Sequence, residues 1–161
     1  MIWKLLAPGQ YHISKEPTLI ETLVGSCVSV CLYNIRNGWA GMNHFLMDYP
    51  KTEADCDIGK YGSTATEYII NNLMKGDPVA GHFRAQVFGG AGVIKGVRVP
   101  EEIGRKNVEV ALELLKATRI RIINQEIGGT RGRRIKFNTA TGEVQWRFAG
   151  NIPRKAKLSL S

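Results

Sequence analysis

Three cysteines and three histidines carry the reactive side chains of this 161-residue sequence: Cys27, Cys31 and Cys56, and His12, His44 and His82. A shared metal site is a poor fit. Cys27 and Cys31 sit four apart in a stretch that reads as one strand, so at ~3.3 Å per residue they stand ~13 Å apart, and no C-x₂-C spacing is present. A cysteine nucleophile fits better. Gly25-Ser26 just before Cys27 lets the chain turn sharply and leaves backbone N–H groups aimed at one spot, as a tetrahedral oxyanion requires. His44 follows on the expected return strand of a hairpin, which brings imidazole and thiol within reach of each other. A nearby imidazolium would lower a thiol pKa from its usual value of about 8.5, and the same ring can hand a proton to a leaving amine. The plainer reading stays open beside it: a cysteine in a Val-rich strand is commonly a small buried hydrophobe, which suits Cys31 better than Cys27. A papain-type signature is absent, since Val24 and Val28 stand where it needs a cysteine and an aromatic.

Two glycine clusters offer weaker chemistry. Phe88-Gly89-Gly90-Ala91-Gly92 and Gly128-Gly129-Thr130-Arg131-Gly132-Arg133-Arg134 could cradle phosphate, but neither carries the Lys-Ser/Thr ending of a P-loop. Tight turns and close backbone packing are the simpler account. The arginines and the basic tail permit contact with nucleic acid, yet no aromatic platform or helix-turn-helix pattern accompanies them, so nucleic acid is not the expected partner.

These residues need elements to hold them. Residues 11–33 read as strands, with Leu19 to Val24 and Cys27 to Tyr33 as apolar, β-branched runs. Asn37-Gly38 signals a two-residue turn to a partner strand, Trp39 to Leu46, because both residues tolerate positive φ. Residues 48–62 read as a surface loop. A helix starts at Ser63 or Thr64, with Thr64 and Glu67 as a capping box and Ala65, Ile69 and Leu73 along its buried stripe. A short strand, 85–88, feeds the first glycine cluster. A second helix, 101–117, buries Ile103, Val110, Ala111 and Leu114. Strands follow from Ile120 to Ile127, Arg134 to Phe137 and, after a Thr141-Gly142 turn, Glu143 to Phe148. Strands outnumber helices and hairpins mix with crossovers, which predicts an α+β fold with two helices on a mixed sheet or pair of sheets.

Length and charge narrow the class. One chain of this size suits a single domain over 1–161, with a core of about 10–148 and a basic tail of about 150–161. Lys+Arg 22 less Asp+Glu 14 leaves a net charge of +8. No apolar run approaches the ~18 residues of a membrane span, and Met1 to Leu6 is too short for a signal-peptide core. Three cysteines cannot all pair, so a reducing, cytoplasmic setting is the simplest expectation.

Taken in order, several stretches resemble the CheD family, the chemoreceptor glutamine deamidases of bacterial chemotaxis. They are Thr22-Leu23-Val24-Gly25-Ser26-Cys27-Val28-Ser29-Val30-Cys31-Leu32-Tyr33, Gly41-Met42-Asn43-His44-Phe45-Leu46, Lys60-Tyr61-Gly62, Val87-Phe88-Gly89-Gly90-Ala91, Ile103-Gly104 with Asn107, and Gly128-Gly129 with Gly132-Arg133. The resemblance implies a cysteine hydrolase that turns receptor glutamines into glutamates and releases ammonia, with Cys27 as nucleophile and His44 as base. It implies no cofactor and no metal. Its fold would be a β-sandwich flanked by helices, similar to the catalytic domain of the cytotoxic necrotizing factor toxins. Its partners would be methyl-accepting chemoreceptors, whose Glu-rich helices suit a basic protein, and a CheC-type phosphatase. A threonine upstream of the nucleophile orients the histidine in that family. Thr22 lies five residues before Cys27, whereas a spacing of six lands on Glu21. In a regular strand Glu21 shares the face of Cys27, unless a bulge at Gly25 reverses the parity. Thiol chemistry of the same kind aimed at another amide, and a non-catalytic adaptor with the same fold, are the competing expectations.

Overall fold

A computed structural model describes residues 1–150; the basic tail expected beyond them lies outside the described residues. Among the described residues there are eleven strands: β1 (Ile2–Leu5), β2 (Tyr11–Ser14), β3 (Thr18–Val24), β4 (Val28–Asn34), β5 (Ala40–Asn43), β6 (Phe83–Gly89), β7 (Val93–Ile94), β8 (Val97–Arg98), β9 (Arg121–Ile127), β10 (Arg133–Asn138) and β11 (Glu143–Phe148). Two α-helices accompany them, α1 (Gly62–Met74) and α2 (Glu101–Ala117). One sheet has the order β1-β3-β10-β11 and the other β2-β5-β4-β6-β9, while β7 and β8 form a small hairpin. Both larger sheets are mixed, because β1 runs parallel to β3 and β6 parallel to β9. The α+β expectation holds.

Burial explains the layering. Ile20 and Val24 of β3, with Ile135 and Phe137 of β10, face Cys31, Met42 and Phe88 of the second sheet across one apolar layer. On its other face the second sheet packs Val28, Val30, Leu32, Ala85 and Val87 against Ile69 and Leu73 of α1 and Val110 and Leu115 of α2. Strand β4 is therefore covered on both sides, which is why Val28 to Leu32 reads as a nearly continuous apolar run.

Several local expectations are corrected. The capping box at Thr64 and Glu67 does not form. Helix α1 begins at Gly62 behind Tyr61, and Thr64 Oγ1 donates instead to the carbonyls of Ile58 (2.6 Å) and Tyr61 (3.3 Å). The turn before β5 spans 35–39, and Asn34 Oδ1 accepts the N–H groups of Arg36 and Asn37; only Gly38 takes positive φ (75°). Helix α2 buries Gly104, Asn107, Val108, Ala111 and Leu115, while Ile103 is 42% exposed and Leu114 half-buried. The rotation of that helix follows from Gly104: a Cβ there would lie 2.2 Å from the Gly90 carbonyl oxygen, so the helix closes on the glycine loop along this face. Strand β1 and the β7–β8 hairpin were not expected, since Ile2 to Leu5 is exposed throughout and owes its strand form to pairing with β3.

Candidate active site

Cys27 sits in the turn that carries the chain from β3 in one sheet to β4 in the other. The turn is held by backbone bonds on every side: Ser26 N–H donates to Val93 O (2.8 Å), Ala91 N–H to Gly25 O (2.9 Å) and Gly90 N–H to Cys27 O (2.9 Å). A Cβ on Gly25 would lie 2.3 Å from Val93 O, so this approach requires glycine. The Phe88–Gly92 cluster thus spends its amides on the nucleophile's turn and, through Gly92 N–H, on Gly129 O (2.9 Å), which supports close packing over a phosphate cradle. Among the described residues the Cys27 N–H meets no acceptor from another residue.

His44 follows β5 and is 1% exposed. The pairs Cys31–Met42, Leu32–Gly41 and Val28–Phe45 share one register, which sets Ser29 opposite His44 and Cys27 opposite Leu46. Cys27 and His44 are therefore diagonal neighbours on the sheet face that looks toward β3, a placement typically about 7–8 Å apart. They are not hydrogen-bonded at rest: His44 Nε2 is buried without a partner, as is Ser29 Oγ opposite it. The other ring nitrogen is fully engaged. Thr22 Oγ1 lies 2.6 Å from His44 Nδ1 and 2.8 Å from the carbonyl oxygen of Leu6. A carbonyl can only accept, so the single hydroxyl proton goes to Leu6, and Oγ1 in turn accepts from Nδ1–H. That relay leaves the lone pair on Nε2. The histidine backbone is pinned by the same N-terminal segment, with Gly9 N–H donating to His44 O (2.8 Å) and His44 N–H to Gln10 O (3.0 Å).

Strand parity does not bring Glu21 to the face of Cys27, because β3 and β4 belong to different sheets. Thr22 reaches His44 across the layer between them rather than along one strand. Glu21 points outward, where it accepts from Trp3 Nε1 and lies 3.6 Å from Lys136 Nζ. The same register makes Cys31, opposite Met42, and His12, paired with Met42 on the other side, diagonal neighbours of His44 as well, whereas Cys56 and His82 stand apart from this face. Cys31 is buried in the inter-sheet core, Cys56 is exposed with its thiol donating to Ala54 O (3.1 Å), and His82 pairs with Asp77 (2.8 Å). Leu6 and Asn107 escaped the sequence reading as site residues. A main-chain carbonyl leaves no side-chain signal, and Asn107 entered the sequence reading only as part of the Ile103-Gly104 stretch of the family resemblance, with no role attached to it. Asn107 Nδ2 donates to both Ser26 O (3.0 Å) and Leu46 O (2.9 Å).

Burial sets the resting protonation. It pushes the Cys27 thiol up to about 11, with the residue's own N–H acting weakly in the opposite direction, and pulls His44 down to about 4. The expected thiolate–imidazolium pair is therefore replaced at neutral pH by a thiol and a neutral imidazole, because the inter-sheet space stabilises neither charge. The same shift makes stability depend on pH. Because the folded pKa of His44 lies below the unfolded value, the unfolded chain binds the proton first. Stability is then intact above about pH 6.5 and falls as pH drops toward 4, by up to about 3 kcal/mol. Urea unfolding between pH 7 and 4 should show a shallower acid loss for His44→Gln than for the native chain; equal slopes would place the acid sensitivity elsewhere.

A family model described as CheD chemotactic sensory transduction matches residues 47–148, which takes in α1, the glycine loop, α2 and β9 to β11; Cys27 and His44 precede it. Longer similarity joins the chain to proteins named probable chemoreceptor glutamine deamidase CheD. The protein from Trichlorobacter lovleyi is 38% identical over 139 residues, covering 86% of either chain. That from Rhodospirillum rubrum is 38% identical over 139 residues (86% of this chain and 78% of the relative), and that from Caulobacter vibrioides 33% over 153 (92% and 80%). With a family match across more than half its length and relatives of this similarity, the chain belongs to the CheD family.

Proposed function

We propose that this protein hydrolyses the side-chain amide of particular chemoreceptor glutamines to glutamate, releasing ammonia. The carrying observation is the Leu6–Thr22–His44 relay, which presents an unprotonated Nε2 on the sheet face it shares with Cys27. Membership of a family whose relatives carry the name chemoreceptor glutamine deamidase supplies the substrate class.

The chemistry follows from two neutral groups. Cys27 Sγ attacks the amide carbon while its proton passes to His44 Nε2, and the carbonyl π pair moves onto oxygen, where the Cys27 N–H receives it. The tetrahedral adduct then collapses: the C–N bond breaks as His44 returns the proton to nitrogen, leaving ammonia and a thioester. His44 next takes a proton from water, whose oxygen attacks the thioester carbon. The C–S bond breaks, Sγ recovers the proton, and the glutamate side chain departs. Thr22 keeps Nδ1–H engaged throughout, so each proton transfer runs through Nε2. Cys31 and Cys56 take no part.

In this reading the chain is one catalytic domain acting in the cytoplasm, and its charge of +8 draws it toward Glu-rich receptor helices in a salt-dependent manner. A CheC-type phosphatase is a second partner. The test is intact-mass spectrometry of a receptor cytoplasmic fragment incubated with the protein. Replacing NH₂ by OH adds about 1 Da per modified glutamine, and Cys27→Ala and His44→Ala should each abolish the gain. A gain that survives Cys27→Ala sinks the mechanism, and binding without any gain makes the protein an adaptor.

A further inference from the structure

The amide of Asn107 is 1% exposed and spends both N–H groups on two main-chain carbonyls, Ser26 O (3.0 Å) and Leu46 O (2.9 Å). These are not arbitrary carbonyls. Ser26 precedes the nucleophile and Leu46 lies two residues beyond His44, so one side chain on α2 ties together the two segments that carry the dyad. The Ser26 carbonyl also belongs to the same planar unit as the Cys27 N–H. The described chain has no cis peptide bond, and in a trans peptide C=O and N–H point in opposite directions. Holding Ser26 O against α2 therefore turns the Cys27 N–H away from the helix, toward the space between the sheets. Among the described residues that N–H meets no acceptor from another residue. A hydrogen bond accepted at a peptide oxygen also polarises the unit and strengthens its N–H as a donor.

We propose that Asn107 is a positioning residue for the oxyanion hole, aiming and strengthening the Cys27 N–H through the Ser26–Cys27 peptide. The proposal rests on the Cys27 acyl-transfer mechanism above and extends it to a residue that touches neither substrate nor thiol. The rest of the turn supports a directed role. Ser26 N–H, Gly90 N–H and Ala91 N–H are all engaged with backbone carbonyls around Cys27; among the described residues Gly25 N–H and Cys27 N–H are the donors of this turn left without an acceptor from another residue, and the Cys27 N–H is the one carried by the nucleophile itself.

A purely structural role and an oxyanion role differ in a way that chemistry can read. Alkylation of Cys27 by iodoacetamide is a displacement at carbon in which no carbonyl oxygen gains charge. Acylation by p-nitrophenyl acetate passes through a tetrahedral oxyanion. Both rates are measured on the full chain carrying Cys56→Ser, which removes the exposed thiol, with the modified Cys27 peptide identified by mass. In Asn107→Ala, and in Asn107→Ser, which keeps one donor, we expect acylation to slow at least about tenfold while alkylation stays within about twofold. Asn107→Ser should retain more acylation than Asn107→Ala, and it also serves if the alanine variant does not fold. Parallel loss of both rates, or an unchanged acylation rate in a folded variant, overturns the proposal. Neither reagent requires a receptor. A native protein that acylates normally but leaves receptor fragments unmodified overturns the deamidase reading while the Asn107 result stands.

Discussion

Thr22→Val should lower kcat for deamidation by about two orders of magnitude with KM within about threefold. The substitution is close to isosteric and β-branched, so it keeps the strand and the packing of β3 while deleting one hydroxyl. That hydroxyl does two things at once: it donates to Leu6 O and accepts from His44 Nδ1–H. Without it the imidazole has no fixed acceptor on Nδ1 and no preferred tautomer, and a proton resting on Nε2 blocks the general-base step. General acid–base assistance contributes typically about 10²–10⁴ in rate, so losing its orientation should remove a large part of that. Stability should fall by only about 1–3 kcal/mol, the cost of a buried Leu6 carbonyl without a donor. The imidazole nitrogens, followed by ¹⁵N NMR, should shift from one tautomer toward a mixture. Thr22→Ser should restore the tautomer and most of the rate, whereas Glu21→Gln, on the outer face of the sheet, should change neither. A folded Thr22→Val protein with native kcat would remove threonine from the mechanism.

Gly89→Ala should be the most damaging single methyl added near the site. Gly89 has φ of 112°, a region that L residues rarely adopt, and a Cβ there would fall 2.2 Å from Cys27 O and 3.1 Å from Val24 Cγ2. The backbone must move because the nearest atom is itself main chain. Strain of this kind costs about 1–3 kcal/mol and overpacking a similar amount, so a combined loss of roughly 3–5 kcal/mol is expected. The displaced atom is the carbonyl of the nucleophile, which Gly90 N–H holds at 2.9 Å, so activity should fall even where the variant remains folded. Urea midpoints and deamidation assayed well below the transition separate the two effects. Gly81→Ala is the control: nothing lies within 4 Å of its Cβ and its φ is ordinary, so it should change stability by no more than about 0.5 kcal/mol. A loss below about 1 kcal/mol for Gly89→Ala would show that the loop and the turn are not locked together as described.

Much of this protein is legible one residue at a time. The largely apolar run Val28 to Leu32, the alternation in Glu143 to Phe148 and the amphipathic stretch 101–117 all produce the elements they signal, because hydrophobic periodicity is a local property. That Cys27 and His44 come to neighbouring positions was legible too, although the hydrogen bond expected between them is not made. A glycine-serine turn before a thiol and a histidine on the return strand of a hairpin are arrangements of near neighbours in sequence, and the register of β4 on β5 places both on one face.

Tertiary structure alone decided the rest. The choice between Thr22 and Glu21 could not come from strand parity, since the chain changes sheet between them and Cys27, and side-chain direction is inherited only along a continuous strand. The Leu6 carbonyl contributes a backbone atom, which every residue possesses, so nothing in its side chain announced it. Asn107 lies 80 residues beyond Cys27 and meets Ser26 because Gly104 lets α2 close on the Gly90 loop. The resting charge state was equally out of sight. Burial between two sheets holds the thiol near 11 and the imidazole near 4, and burial belongs to the assembled layers rather than to any segment of the sequence.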